Sequence, residues 1–204
     1  ETLLDRHSAI MDQYDAEKRV GLIVDEWGTW FDCEPGTNPG FLYQQNTMRD
    51  AMVAALTLNI FNKHCSRVKM ANIAQLVNVL QAVILTEGEK MLLTPTYHVF
   101  KMYAPHQEAQ LLDSHMEAQW IGNEDGKVRK IYESASVNDA GEITVTLANL
   151  SAEEAEAMDI VLAEGSAASV TGELLTGAIT AYNTFEAPET VKAEQFTGAK
   201  VTEQ

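Results

Sequence analysis

The run Arg19-Val20-Gly21-Leu22-Ile23-Val24, which ends on Asp25-Glu26, constrains this chain more than any other segment. It is short and nearly continuous in apolar and β-branched residues, the pattern of a parallel strand buried on both faces, with charge at its C-terminal end. Parallel neighbours need a crossover connection, usually a helix. The following sequence supplies one, because Met48, Met52, Ala55, Leu56 and Ile60 form one helical stripe between Gln44 and about Lys63. Asn62-Lys63-His64 then makes a cationic C-terminal turn. Arg67-Val68-Lys69-Met70-Ala71-Asn72 is a second strand, and Ile73, Leu76, Val77, Leu80 and Ile84 have the spacing of a third helix. Before the first strand, Leu3, Leu4, His7, Ile10, Met11 and Tyr14 predict an amphipathic helix over residues 1 to about 15. Pro95 fits an early position of a short helix reaching Met102. Strand and helix in alternation predict right-handed crossovers and a parallel sheet.

The character of the chain changes near Ala104-Pro105-His106. Beyond it Val128–Tyr132, Ile143–Leu147 and Asp159–Leu162 read as strands, with turn signals at Asn138-Asp139-Ala140-Gly141, Glu164-Gly165-Ser166 and Thr171-Gly172-Glu173. Short strands with regular turns suggest an antiparallel sandwich. Ser151–Ala157 reads equally well as a helical turn or a loop. Two domains follow, residues 1–104 and residues 105–204.

Composition excludes several classes. The 204 residues are 46% hydrophobic and 22% charged, values of a chain that buries a core. Thirty acidic against 14 basic side chains leave a net charge of -16, which repels nucleic-acid phosphates and anionic bilayers alike. Leu76–Leu85 is interrupted by Asn78 and Gln81 and is far shorter than the about 20 apolar residues that span a bilayer. Cys33 and Cys65 lack CxxC spacing, so neither a disulfide scaffold nor a zinc ribbon is expected. The first residues, Glu1 to His7, lack the pattern of a signal peptide and read as the inside of a helix, as if the chain begins part-way through something.

Chemistry concentrates at Val24-Asp25-Glu26-Trp27-Gly28, acidic and aromatic residues at the C-terminal end of a parallel strand, where ligands bind in barrels and open α/β sheets. A carboxylate there can serve as nucleophile or general acid/base, and a tryptophan offers a sugar ring a flat apolar face. It can equally cap a turn or pair with a basic group. Gly28–Tyr43 carries Pro35, Gly36, Asn38, Pro39 and Gly40, a long loop of the kind that holds function or is disordered. His64 suits a helix-dipole cap, and His98 and His106 have no recognisable Ser or Cys partner. Gly122-Asn123-Glu124-Asp125-Gly126 lacks the spacing of a calcium loop and reads as a hairpin turn.

Four segments in order, Val20–Trp30, Glu34–Asn46, Asn72–Leu80 and Leu93–Phe100, resemble the α-L-arabinofuranosidases of glycoside hydrolase family 51. The resemblance covers most of residues 1 to about 112 and is looser beyond. It implies an α/β plus all-β protein, the last two β/α units of a (β/α)8 TIM barrel (strands seven and eight) followed by an antiparallel β-sandwich. It also implies a retaining hydrolase that releases terminal arabinofuranosyl units from arabinan, arabinoxylan or arabino-oligosaccharides. The family's nucleophile, the Glu of Asp-Glu-Trp, falls on Glu26. Its arabinose-binding Gln in Ile-Ala-Gln falls on Gln75, and the aromatic residue bordering the sugar falls on Trp30. No metal or organic cofactor is implied. Homo-oligomers and a cytoplasmic location are the family's habit.

Retention needs two carboxyl groups about 5–5.5 Å apart. By strand alternation Asp25 points away from Glu26 and is expected to support the fold. The family's acid/base lies in an Asn-Glu pair at the end of barrel strand four. Asn123-Glu124 matches it in letters only, because it follows the barrel segment and falls among turns. Two strands cannot close a barrel either. The expectation is the C-terminal part of a larger enzyme, packed against its N-terminal part, with arabinose-containing saccharides as substrate and neither nucleic acid nor membrane as partner. The alternative from another class is a non-catalytic carbohydrate-binding or assembly fragment.

Overall fold

The computed structural model describes residues 1–117 and 119–202. Helix α1 (Thr2–Tyr14) leads into strand β1 (Leu22–Trp27), helix α2 (Met48–Lys63) and strand β2 (Val68–Ile73), and β1 pairs with β2 in parallel. The expected helix–strand–helix–strand order is therefore present, with the first strand shifted toward Trp27. Its expected burial on both faces is not: Ile23 and Met70 are each about half exposed, and Leu3 and Ile10 of α1 more than half, because no described element covers them.

One buried cation joins these elements. Arg67 is 1% exposed; its guanidinium donates to Asp15 Oδ2 at 2.8 Å, to Val20 O at 2.9 Å and to Asp15 O at 2.9 Å, and also pairs with Asp12. Its carbonyl accepts from Leu22 N at 2.7 Å, the first rung between β1 and β2. The Asp15 carboxyl is held at about 2 by hydrogen bonds from Val20 N and Arg67.

Helix α2 starts at a capping box in which Thr47 Oγ1 accepts from Arg49 N and Asp50 Oδ2 accepts from Thr47 N. His64 ends it, with Nδ1 2.7 Å from Ile60 O and Nε2 2.9 Å from Asp5 Oδ1, the capping role expected of it. Small residues Ala51, Ala54 and Ala55 let α2 approach helix α3 (Pro95–Tyr103), where Val99 and Tyr103 complete a core with Met48, Ala148 and Val191.

The third helix expected over Ile73–Ile84 is not formed. Residues 74–83 are irregular and lead into a hairpin of β3 (Ile84–Glu87) and β4 (Lys90–Leu93). Their backbone pairs sideways instead: Leu80 N donates to Leu42 O, Gln44 N to Leu80 O, and Val83 N to Gln75 O. Asn78 and Leu80 adopt left-handed φ of 59° and 56°, which a helix cannot include. Of the residues that carried the helical spacing only Leu80 is buried, while Leu76 and Val77 are exposed.

Beyond a short 3₁₀ turn at Ala104–His106 the chain is antiparallel. Strands β5 (Gln110–Leu112), β8 (Ile131–Val137) and β9 (Ile143–Asn149) form a sheet in the order β5-β8-β9. β6 (Trp120–Asn123) and β7 (Gly126–Arg129) make a separate hairpin, and β10 (Gly172–Leu174) pairs with β11 (Glu194–Phe196). Where the alternation suggested a sandwich, the described residues hold one three-stranded sheet and two ribbons. Asp159–Leu162 is not a strand, since it pairs with no other strand among the described residues and leaves Ile160 and Val161 exposed. Ser151–Ala157 takes the loop alternative, tied by Asn149 Nδ2 to Glu154 O at 2.7 Å and by the buried Lys130 to Glu154 and Glu156.

Beside the apolar contact of Ala148 with the core around α2 and α3, the sheet meets α2 through a polar layer. Asn59 Oδ1 accepts from Ser134 and Thr146 hydroxyls, each at 2.8 Å, and His106 lies 2.8 Å from Ser136 Oγ and 3.0 Å from Thr146 Oγ1. Burial pushes the His106 pKa below the ordinary 6.5. A base depressed in the folded state stabilises fully above the unfolded value and loses that contribution as pH falls below 6.5 toward the folded one. The urea midpoint should therefore be lower at pH 5 than at pH 7.5, and His106→Gln should flatten that slope; an unchanged slope would refute the assignment.

Candidate active site

At the C-terminal end of β1 the register with β2 breaks. Val24 pairs with Ala71 and Trp27 with Ile73, so three residues of β1 advance against two of β2. Such a bulge re-aims side chains. Asp25 and Glu26 are consequently both exposed instead of alternating. The Asp25 side chain is exposed and makes no hydrogen bond or ion pair with another side chain among the described residues. Trp27 anchors the strand end: its ring stacks on Phe100 of α3 at 6.1 Å and meets Phe61 of α2 edge-on at 5.5 Å.

Glu26 lines an open pocket of about 250 Å³ together with Trp27, Gly28, Thr29, Trp30, Ala74 and Leu80. It is the one carboxylate among these lining residues. Trp30 is 66% exposed and presents a free ring. Gln75 does not line the pocket but directly follows Ala74, is exposed, and is joined to it by a cis peptide bond. The structure thus brings Glu26 and Trp30 to one pocket and places Gln75 next in sequence to a third wall residue.

The loop after β1 is held by α2 and its approach. Thr29 Oγ1 donates to Asp50 Oδ1 at 2.9 Å, Phe31 N donates to Gln44 Oε1 at 2.8 Å, and the Arg49 guanidinium lies 3.7 Å over the Phe31 ring. Glu34 N donates to Tyr43 O, and Glu34 Oε1 accepts from Gln45 N. Burial, reinforced by Glu34, pushes the Tyr43 phenol up. The breaker-rich segment is therefore ordered, with a 3₁₀ turn at Pro39–Phe41.

Ala74 closes the other side. Its N–H donates to Trp27 O at 2.8 Å and its carbonyl accepts from Gln81 Nε2 at 3.2 Å. Behind the strand, a small cavity of about 10 Å³ is lined by Trp27, Thr29, Asp50, Gln81 and Thr96 among others. Asp50, Gln81 and Thr29 were not singled out by sequence reasoning. Asp50 carried a readable signal, Thr47-x-x-Asp50, the spacing of a capping box; Gln81 carried none.

The remaining candidates lie elsewhere. The His98 ring is half-buried with no hydrogen bond among the described residues, and burial lowers its pKa. Asn123 ends β6 and Glu124 with Asp125 makes the tight turn to β7, where Asn123 Oδ1 accepts from Asp125 N and Gly126 N. Among the described residues no cluster of three or more His, Cys, Asp or Glu could hold a metal ion, and no helix is long and apolar enough to cross a membrane.

Comparison with known proteins places this geometry in context. A family model described as the α-L-arabinofuranosidase C-terminal domain matches residues 25–204. The chain is 48% identical over 203 residues to an intracellular exo-α-L-arabinofuranosidase of Bacteroides ovatus, covering 98% of this chain and 40% of that protein. It superposes on the arabinofuranosidase of glycoside hydrolase family 51 from Xanthomonas axonopodis pv. citri with a TM-score of 0.90 and 46% identity, covering 98% of this chain and 41% of that one. The thermostable family 51 enzyme of Thermotoga petrophila RKU-1 gives 0.77 and 25%, covering all of this chain and 44% of that one. The chain thus spans about two fifths of the length of these relatives.

Gly28 makes the turn out of the site possible. Its φ is 143°, and a Cβ there would stand 2.9 Å from Gln81 Nε2 and 3.3 Å from Ala74 O. Gly28→Ala should cost about 1–3 kcal/mol of stability, read from urea denaturation; a cost below about 0.5 kcal/mol would refute the close packing.

Proposed function

The chain belongs to the α-L-arabinofuranosidase C-terminal domain family, and from that premise we propose that it is the nucleophile-bearing portion of a retaining glycoside hydrolase. The enzyme releases terminal α-L-arabinofuranosyl residues from arabinan, arabinoxylan or arabino-oligosaccharides. One observation carries the reading: Glu26 is the sole carboxylate lining a pocket that it shares with the exposed ring of Trp30, at the C-terminal end of a parallel strand.

In this reading the Glu26 carboxylate attacks the anomeric carbon while a second carboxyl group protonates the departing oxygen. The same second group then takes a proton from the water that hydrolyses the glycosyl ester. An N-terminal portion supplies it, packed over the exposed face of β1 and β2, which belong to the barrel as strands seven and eight; residues 105–204 are the sandwich domain. Gln75 can donate to one sugar hydroxyl and accept from another, and Trp30 covers the apolar face of the ring. Neutral sugar recognition through hydrogen bonds and ring contact is compatible with a net charge of -16. Several relatives are named intracellular, which supports a cytoplasmic place for this enzyme.

In the enzyme comprising this chain and its N-terminal portion, Glu26→Ala should lower kcat/KM on an aryl α-L-arabinofuranoside by about 1,000-fold or more. Hydrolysis at near-parental rate would sink the nucleophile assignment. Gln75→Ala and Trp30→Ala should each lower kcat/KM by about 10-fold or more. Sugar binding by calorimetry without any turnover by the parent enzyme would favour a non-catalytic binding role instead.

A further inference from the structure

We propose that Gln81 is a positioning residue that holds the two halves of the candidate site in register, an inference that rests on the arabinofuranosidase reading of that site. Gln81 is 3% exposed, an unusual place for a primary amide. Its Nε2 donates to the carbonyl of Ala74, the wall residue whose peptide leads into Gln75. The same Nε2 lies 2.9 Å from the point where a Cβ on Gly28 would stand, so the amide packs directly against the backbone two residues after Glu26. One side chain therefore touches the turn that follows the nucleophile and the peptide that precedes the sugar-binding glutamine.

The backbone that carries this side chain is held in place. The backbone carbonyl of Gln81 accepts from Asn46 Nδ2 at 2.8 Å, and that amide also donates to Thr96 Oγ1 at 2.8 Å in the first turn of α3. Asn46 and Thr96 are each 1% exposed. On either side of Gln81, Leu80 walls the pocket and Ala82 belongs to a core cluster with Leu85 and Leu92. The direct rung from Ala74 N to Trp27 O sets the spacing of the two segments, and the Gln81 amide sets the tilt of the Ala74 carbonyl and hence where Gln75 starts.

The test compares Gln81→Met, Gln81→Asn and Glu26→Ala in the enzyme comprising this chain and its N-terminal portion. Methionine keeps the length and loses the donor; asparagine keeps an amide but withdraws it from Ala74, and serves where the methionine variant does not fold. Positioning predicts a loss of about 10- to 100-fold in kcat/KM per folded molecule, shared between a lower kcat and a higher KM, measured well below Tm. A variant with lower Tm but parental kcat and KM per folded molecule overturns the proposal, since a merely structural amide behaves that way. Parental activity in the Gln81 variants beside an inactive Glu26→Ala overturns positioning alone. An active Glu26→Ala overturns the reading of the site, and this proposal with it.

Discussion

Arg67 is the joint on which the first half of the molecule hangs. A guanidinium withdrawn from water is tolerated only when its fork of N–H groups is met by acceptors, preferably charged ones. Here two aspartates at the end of α1 and two carbonyls meet its two terminal nitrogens, while Nε is without a partner among the described residues and the residue's own carbonyl begins the ladder between β1 and β2. Helix end and strand entry are thereby tied together by one residue. Beyond this rung the pairing shifts between Leu22 and Ile23 and again between Val24 and Trp27, so the placement of Glu26 rests on the bulge at the end of β1.

From that joint the strand end is carried to the site by contacts of a different kind. The ring of Trp27 wedges between Phe61 and Phe100, which ties β1 to α2 and α3. The bulge at Asp25-Glu26 then turns both carboxylates outward. On the far side, polar groups do what apolar packing does elsewhere: Asp50 caps α2 and holds Thr29, and Gln44 holds Phe31 while its backbone binds Leu80. A long loop full of prolines and glycines is ordered this way, since its backbone groups find partners on neighbouring rigid elements.

Periodicity read well wherever an element's partners are local. Helices α1, α2 and α3, the parallel pairing of β1 with β2, and the β6–β7 turn were all legible, because capping residues, β-branched runs and turn residues act within a few positions. It misled over Ile73–Ile84, where Leu80 is buried and its backbone pairs with the loop at Leu42–Gln44 while Ile84 opens β3, and over Asp159–Leu162, where alternation had no partner strand among the described residues. In the site, Glu26, Trp30 and Gln75 were named from motif resemblance. Gln81 stayed hidden, since a glutamine within an apolar run looks like an interruption until its amide is seen between Gly28 and Ala74.

The chain's chemistry at the end of β1, an acidic and aromatic cluster followed by glycine, was determined by sequence alone, as were its acidic balance and the order of its first elements. The tertiary structure alone decided that Glu26 and Trp30 share one pocket and that Ala74 stands across from them. Local signals act over one or two turns of chain, whereas these residues meet through hydrogen bonds and ring contacts between segments some 50 positions apart, which no spacing rule encodes.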